Sequence, residues 1–419
     1  MCHEARIVPR ATFEDRAAPD RGHKSQVAPR LIVGWMLCLA LFAALTARYV
    51  LRDPDSQLYE TLSRSLETRP FAAWIAPVWP AGRAKGGVFV EHFACALWPG
   101  ALLGKLGAPR GALLANFGWF LLATLLLFRL ARALANAQIA WAAAFLWVAS
   151  PLGIQALLRA NHELPLAVAY LGALLCLSED SLEDAPADPG NRPETLASRL
   201  LLPLCLVLAV AIKGGLGLLV FPATLAGWWV LSRRRARLWQ IAGGAVLTAL
   251  SCGLYEVAFR HATGQSFLVA YLWSQTQGVA LEQREGLLRI LTNPLYYAGN
   301  ALWFALPSSL LCGLALLQRR TGPGPPQTSR PLRLALAVFA AGAGLLSLMA
   351  RRAVRYSFPL IVLLALPGAV ALCQNFPSVR RALERQQARL PWLLMAALLG
   401  VVAARVWFDG HAYRFVNLL

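Results

Sequence analysis

Charge is scarce in this chain. Of its 419 residues 15% are charged and 58% are hydrophobic, which leaves too little polar surface to solvate an ordinary soluble domain. Acids are scarcer than bases, with 21 Asp and Glu against 40 Lys and Arg. No Gly-rich phosphate loop is present, so a nucleotide finds no cradle. The eight cysteines, Cys2, Cys38, Cys95, Cys176, Cys205, Cys252, Cys312 and Cys373, sit mostly inside apolar runs and form no CxxC pair. They read as small core residues and support neither a disulfide framework nor a zinc site. The net charge of +19 is not gathered into a patch. Its arginines occupy short connectors between apolar runs, the pattern of membrane topology and not of a nucleic-acid surface.

What the chain has in abundance is long apolar runs. Mean hydropathy is +0.52, and stretches of the length a bilayer needs, roughly 17 to 25 residues, recur from residue 31 to residue 406. They are too long and too uniformly apolar for barrel strands, so the expected fold class is all-α, a polytopic integral membrane protein. Residues 1–30, with Arg6, Arg10, Arg16, Arg21, Lys24 and Arg30, read as a basic cytoplasmic tail leading into an uncleaved first span, 31–50. Further spans are expected at 113–132, 139–158, 164–178, 200–212, 215–231, 238–259, 296–317, 334–350, 357–373 and 390–405. Together they make about eleven spans in a transmembrane domain, 31–406, with outer loops at 52–112 and 260–293 and an outer tail at 407–419. The run 88–106 is interrupted by Glu91, His92, Pro99, Gly100 and Gly104, so it reads as juxtamembrane helix in the first outer loop. Were it to cross, the count would be about twelve and every later connector would invert.

This topology collects the polar chemistry on one face: Asp53, Asp55, Arg83, Lys85, Glu91, His92, Arg159, His162, Glu163, Lys213, Arg260, Arg355 and Tyr356. Such groups at span ends are costly unless they meet water, a partner or a cavity. Asp53 and Asp55 flank Pro54, which forces Asp53 out of helical geometry and suits the first turn of a helix. Asp53 is then placed to cap, while Asp55 shares a helix face with Tyr59, one turn on. Arg83 and Lys85, in AGRAKGG, either approach a phosphate through their small neighbours or rest on anionic headgroups. Lys213 and Arg355 either bind a phosphate or snorkel to the interface. The pairs Glu91-His92 and His162-Glu163 raise a metal reading, but no third ligand stands at fixed spacing. No metal and no cofactor is expected.

The loop from Asp53 resembles that of polyprenyl-phosphate-dependent glycosyltransferases of the GT-C fold, the group of the aminoarabinose transferases and protein O-mannosyltransferases. Asp55 and Tyr59 fall where that family has an acid and, four positions on, a tyrosine. The family usually has a second acid directly after the first; Ser56 stands there, with Asp53 upstream, so the catalytic acid is open between Asp53 and Asp55. Lys85 or His92 occupies the place of the family's next cation, without its two prolines. RANHELPL brings Arg159 and the acid Glu163, Lys213-Gly214 precedes an apolar span, and RYSFPL brings Arg355 and Tyr356 as lipid-phosphate contacts.

The resemblance implies a glycosyltransferase that moves a hexose or pentose from a polyprenyl-phosphate donor to a glycan, lipid or protein acceptor. It implies reaction at the outer face of a bacterial inner membrane. Asp55 or Asp53 would serve as the catalytic carboxylate, and Tyr59, Arg83, Lys85, Glu91, His92, Arg159, His162, Glu163, Lys213, Arg355 and Tyr356 would contact substrate. The expected partners are the lipid-linked sugar and membrane lipid, with no nucleic acid. The alternative is a polyprenyl-linked glycan flippase or transporter, which favours ionisable groups near mid-span and internal repeats; the polar groups here cluster at one face.

Overall fold

The computed structural model describes residues 24–79, 87–179, 196–282, 286–321, 329–349 and 352–416. Among these the chain is all-α; its only strand-like feature is a single antiparallel bridge, Val78 to Val88. Helix α1 (Lys24–Thr46) leads into a connecting segment holding α2 (Pro54–Glu67), two short 3-10 turns and α3 (Trp98–Lys105). Then follow α4 (Gly111–Leu134), α5 (Ala137–Ala149), α6 (Pro151–Leu157), α7 (Glu163–Glu179), α8 (Leu196–Lys213), α9 (Val220–Leu231) and α10 (Arg235–Thr263). The second half comprises α11 (Phe267–Glu282), α12 (Gly286–Phe304), α13 (Ser308–Thr321), α14 (Ser329–Ser347), α15 (Phe358–Val362), α16 (Ala365–Asn375), α17 (Pro377–Arg385) and α18 (Leu390–Val416).

Helix α7 is the centre. It is apolar on every side, and every residue from 162 to 178 is buried, as a helix without a polar face must be. It packs against α4, α8, α9 and α15. Helix α10 is the opposite case. Trp239, Val246, Leu250, Leu254 and Val257 are exposed along it, a face that only a hydrocarbon solvent accommodates over that length. Among the described residues five helical stretches are long and apolar enough to cross a bilayer, seven if two bent pairs each count as one. The protein is a multi-pass membrane protein.

Several expected spans are not straight helices. The run 139–158 bends by 67° between α5 and α6, where Ser150 caps a new helix that begins with Pro151. The run 357–373 bends by 45° between its two parts, and 296–317 is divided between α12 and α13. Helices α8 and α9 form one unbroken helical stretch along the chain, yet the chain doubles back at Gly214, whose φ is +55°. A Cβ on Gly217 would lie 2.6 Å from the Cα of Val210, an approach impossible for residues seven apart on one continuous helix. The tail expected at 407–419 is helical through Val416. Within 88–106 the longest helix is α3, eight residues or about 12 Å at 1.5 Å each, far short of a hydrocarbon core of about 30 Å.

Helix α18 is fastened near its end to the residues just before α2. Tyr49 donates to Asp409 at 2.8 Å, Arg405 reaches the same carboxylate at 3.2 Å, and Arg52 donates to the backbone carbonyl of Asp409. Arg52 directly precedes Asp53, so this contact fixes where α2 begins.

Replacing Gly217 by Ala should cost about 1–3 kcal/mol of stability through overpacking against α8. Gly243→Ala, where an added Cβ meets nothing within 4 Å, is the control; thermal unfolding of both variants in detergent reads the difference.

Candidate active site

The site is assembled at the N-terminal ends of α2 and α7, the 158–162 connector and the 3-10 turn Val354–Ser357. Asp53 caps α2: its Oδ2 accepts from the Ser56 backbone N–H at 3.1 Å and the Ser56 hydroxyl at 2.8 Å. The same hydroxyl accepts from the Ala160 N–H at 3.1 Å, so the cap also pins the connector that carries Asn161 and His162. Asp53 is thereby a buttress. Asp55, two residues on, has its Oδ2 against the guanidinium of Arg355, whose ring neighbour is Tyr356. Asn293 on α12 donates its amide to the carbonyls of Ser347 at 3.1 Å and Met349 at 2.9 Å, which ties α12 to the end of α14.

A second ion pair lies deeper. Lys213, ending α8, donates to Glu163, beginning α7, at 2.8 Å, with the two side chains 4% and 2% exposed. The Asp55 and Arg355 side chains are 38% and 36% exposed. The contrast sets how firmly each pair is held. An exposed pair contributes about 0–1 kcal/mol and is readily exchanged for another ligand. Breaking a buried one leaves an uncompensated charge, at about 3–5 kcal/mol.

Between the pairs runs a line of rings. Tyr59 stacks on His162 with centroids 4.0 Å apart, and His92 meets His162 edge-on at 5.5 Å. Burial, then the carboxylates of Glu163, Glu91 and Asp53, hold the Tyr59 phenol well above its ordinary pKa. Burial, then His92 and Lys213, push His162 well below its own, so both rings are neutral. Over Lys213 the backbone turns at Gly214, and Gly215 donates its N–H to the Tyr271 hydroxyl at 2.7 Å; Tyr271 on α11 was not among the expected site residues.

Of the other expected residues, Glu91 and Arg159 are half-buried at the rim, and Glu91 receives Gln275 of α11 at its backbone carbonyl, 3.4 Å away. Arg83 and Lys85 lie outside the described residues. Among the described residues no three of His, Cys, Asp and Glu converge as metal ligands; Glu163 faces Lys213 instead. Sequence reasoning missed Asn116, a buried amide on α4, although a lone amide within the run 113–132 was the available signal.

No family profile and no curated protein matches the sequence. Solved structures do. ArnT from Cupriavidus metallidurans in the apo state superposes with a TM-score of 0.55 at 14% identity, covering 91% of this chain and 75% of that one. The same enzyme bound to undecaprenyl phosphate gives 0.58 at 15%, covering 91% and 76%. The chain has the GT-C fold. A second structure of that fold, the oligosaccharyltransferase of Archaeoglobus fulgidus in the apo form, gives 0.50 at 14% over 91% of this chain, which spans 56% of its length. At these identities the GT-C likeness establishes architecture, and the chemistry rests on the residues just described.

Two outcomes follow for the GT-C core. Glu163→Gln and Lys213→Met should each destabilise the protein by about 3–5 kcal/mol, while the double variant recovers much of the loss, since neither charge is then stranded. Thermal unfolding of the three variants checks this. The second concerns pH. The unfolded chain protonates His162 near its ordinary pKa of about 6.5, whereas the fold keeps it neutral well below that value. The unfolded state then binds the extra proton, so His162 lowers stability as pH falls below about 6.5. Unfolding measured across that range should show a shallower loss in His162→Phe than in the wild type.

Proposed function

We propose that this protein transfers a sugar, hexosyl or pentosyl, from a polyprenyl-phosphate donor to a hydroxyl acceptor at the outer face of a bacterial inner membrane. The observation that carries this reading is the Asp55–Arg355 pair, an accessible carboxylate and guanidinium drawn together from distant parts of the chain on a GT-C scaffold. Undecaprenyl phosphate bound to ArnT gives the donor class a precedent on this fold. The acceptor hydroxyl attacks the anomeric carbon and gives its proton to Asp55. The bond from that carbon to the phosphate oxygen breaks, and the charge left on the departing polyprenyl phosphate is met by Arg355. Tyr356 and the neutral Tyr59–His162 stack form the wall of the site, and membrane lipid surrounds the donor's tail. Arg83, Lys85, Glu91, His92 and Arg159 are proposed further contacts for the phosphate or sugar. Glu163 and Lys213 support the site from beneath.

The assignment of roles is tested with purified full-length protein in detergent. Asp55→Asn should lower sugar transfer about 10²- to 10⁴-fold, with undecaprenyl phosphate binding largely kept. Asp53→Asn should instead cost about 1 kcal/mol of stability, the worth of a cap. Arg355→Ala should weaken undecaprenyl phosphate binding by about 1.5–3 kcal/mol. If Asp53→Asn abolishes transfer at unchanged stability while Asp55→Asn stays active, the acid has been misassigned.

A further inference from the structure

Beside the Tyr59–His162 stack lies a cavity of about 20 Å³, whose lining includes Tyr59, Asn116, Trp119, Asn161 and His162. Its polar lining is not satisfied by the protein. Asn116 donates its Nδ2 to the Ala156 carbonyl at 2.9 Å, which fixes the amide's orientation and leaves Oδ1 buried without a partner. Asn161 Oδ1 is buried without one, and so are both ring nitrogens of His162, a residue only 3% exposed. Folded proteins pair nearly all such atoms, with ordered water where no protein group reaches.

Size and chemistry together select the ligand. A water needs roughly 10–15 Å³ of such space, so the cavity holds one water and is too small for a sugar ring or a phosphate. Two amide oxygens require two donors on the ligand, and the N–H of a neutral imidazole requires an acceptor. Water alone among the small species at hand offers both, since a cation has no lone pair to give and an anion no hydrogen.

We propose that this cavity is a one-water site. The water donates to Asn116 Oδ1 and Asn161 Oδ1 and accepts from one ring N–H of His162. It thereby sets the tautomer and tilt of His162, and His162 acts as a positioning residue for Tyr59, against which it is stacked. Tyr59 in turn stands one helical turn from Asp55 on α2, so the water fixes the wall beside the carboxylate. The positioning role rests on the transferase reading; the water site does not.

The test uses full-length protein with ¹⁵N-labelled histidine in detergent, the His162 signals being identified by their loss in His162→Gln. The wild type should show one neutral tautomer for His162. Asn116→Leu fills the cavity and Asn161→Ala removes one acceptor from a connector outside the spans; both should move the His162 nitrogen signals toward an average of tautomers. Sugar-transfer turnover should fall about ten- to a hundredfold, the scale expected of a small misplacement, with undecaprenyl phosphate binding unchanged. Asn116→Ser, which keeps an oxygen and leaves room for a second water, should restore the wild-type signals. Unchanged nitrogen signals in both Asn116→Leu and Asn161→Ala overturn the water site. Shifted signals with unaltered turnover overturn the positioning role alone. Because the nitrogen signals need no substrate, an enzyme inactive with every lipid-linked sugar leaves the water test standing while defeating the transferase reading.

Discussion

The structure turns on a buried ion pair, Glu163 with Lys213. In a chain with so few acids, two opposite charges are removed from water where α7 begins and α8 ends. Each carries a desolvation cost of several kcal/mol that only the other offsets. The pair therefore allows one relative placement of the two helices. Because α7 is buried along its length, that placement is transmitted to α4, α9 and α15. It also fixes the point from which the 158–162 connector leaves α7 and the point at which the chain reverses over Gly214.

On that foundation the segment around α2 is built with weaker and more exchangeable contacts. Asp53 caps α2, and Ser56 passes the cap on to Ala160. The Asp409 cluster holds the approach to α2 from the other side. What remains accessible is Asp55 with Arg355. The two ion pairs thus differ in kind: the deep one is costly to break, and little free energy holds the shallow one shut.

Much of this could be read from the sequence. Pro54 between two aspartates told which would cap, because the geometry before a proline is local. The helical spans follow from apolar run length, which is also a local property. The Glu163–Lys213 pair was not legible as a pair, since both residues looked like separate substrate contacts and only packing joins them. Nor was the role of Ser56, which looked like a missing acid and is the link between cap and connector. The bends at Pro151 and between α15 and α16 depend on how neighbouring helices accommodate freed backbone groups, and a run of apolar letters does not encode that.

In the proposed reaction Arg355 exchanges a carboxylate for the donor's phosphate. An experimental structure of the protein with undecaprenyl phosphate bound tests it most directly. In that structure the Arg355 guanidinium should lie on the phosphate, with Asp55 released and facing the site and the Glu163–Lys213 pair intact. A phosphate held elsewhere, with Arg355 still closed on Asp55, would contradict it.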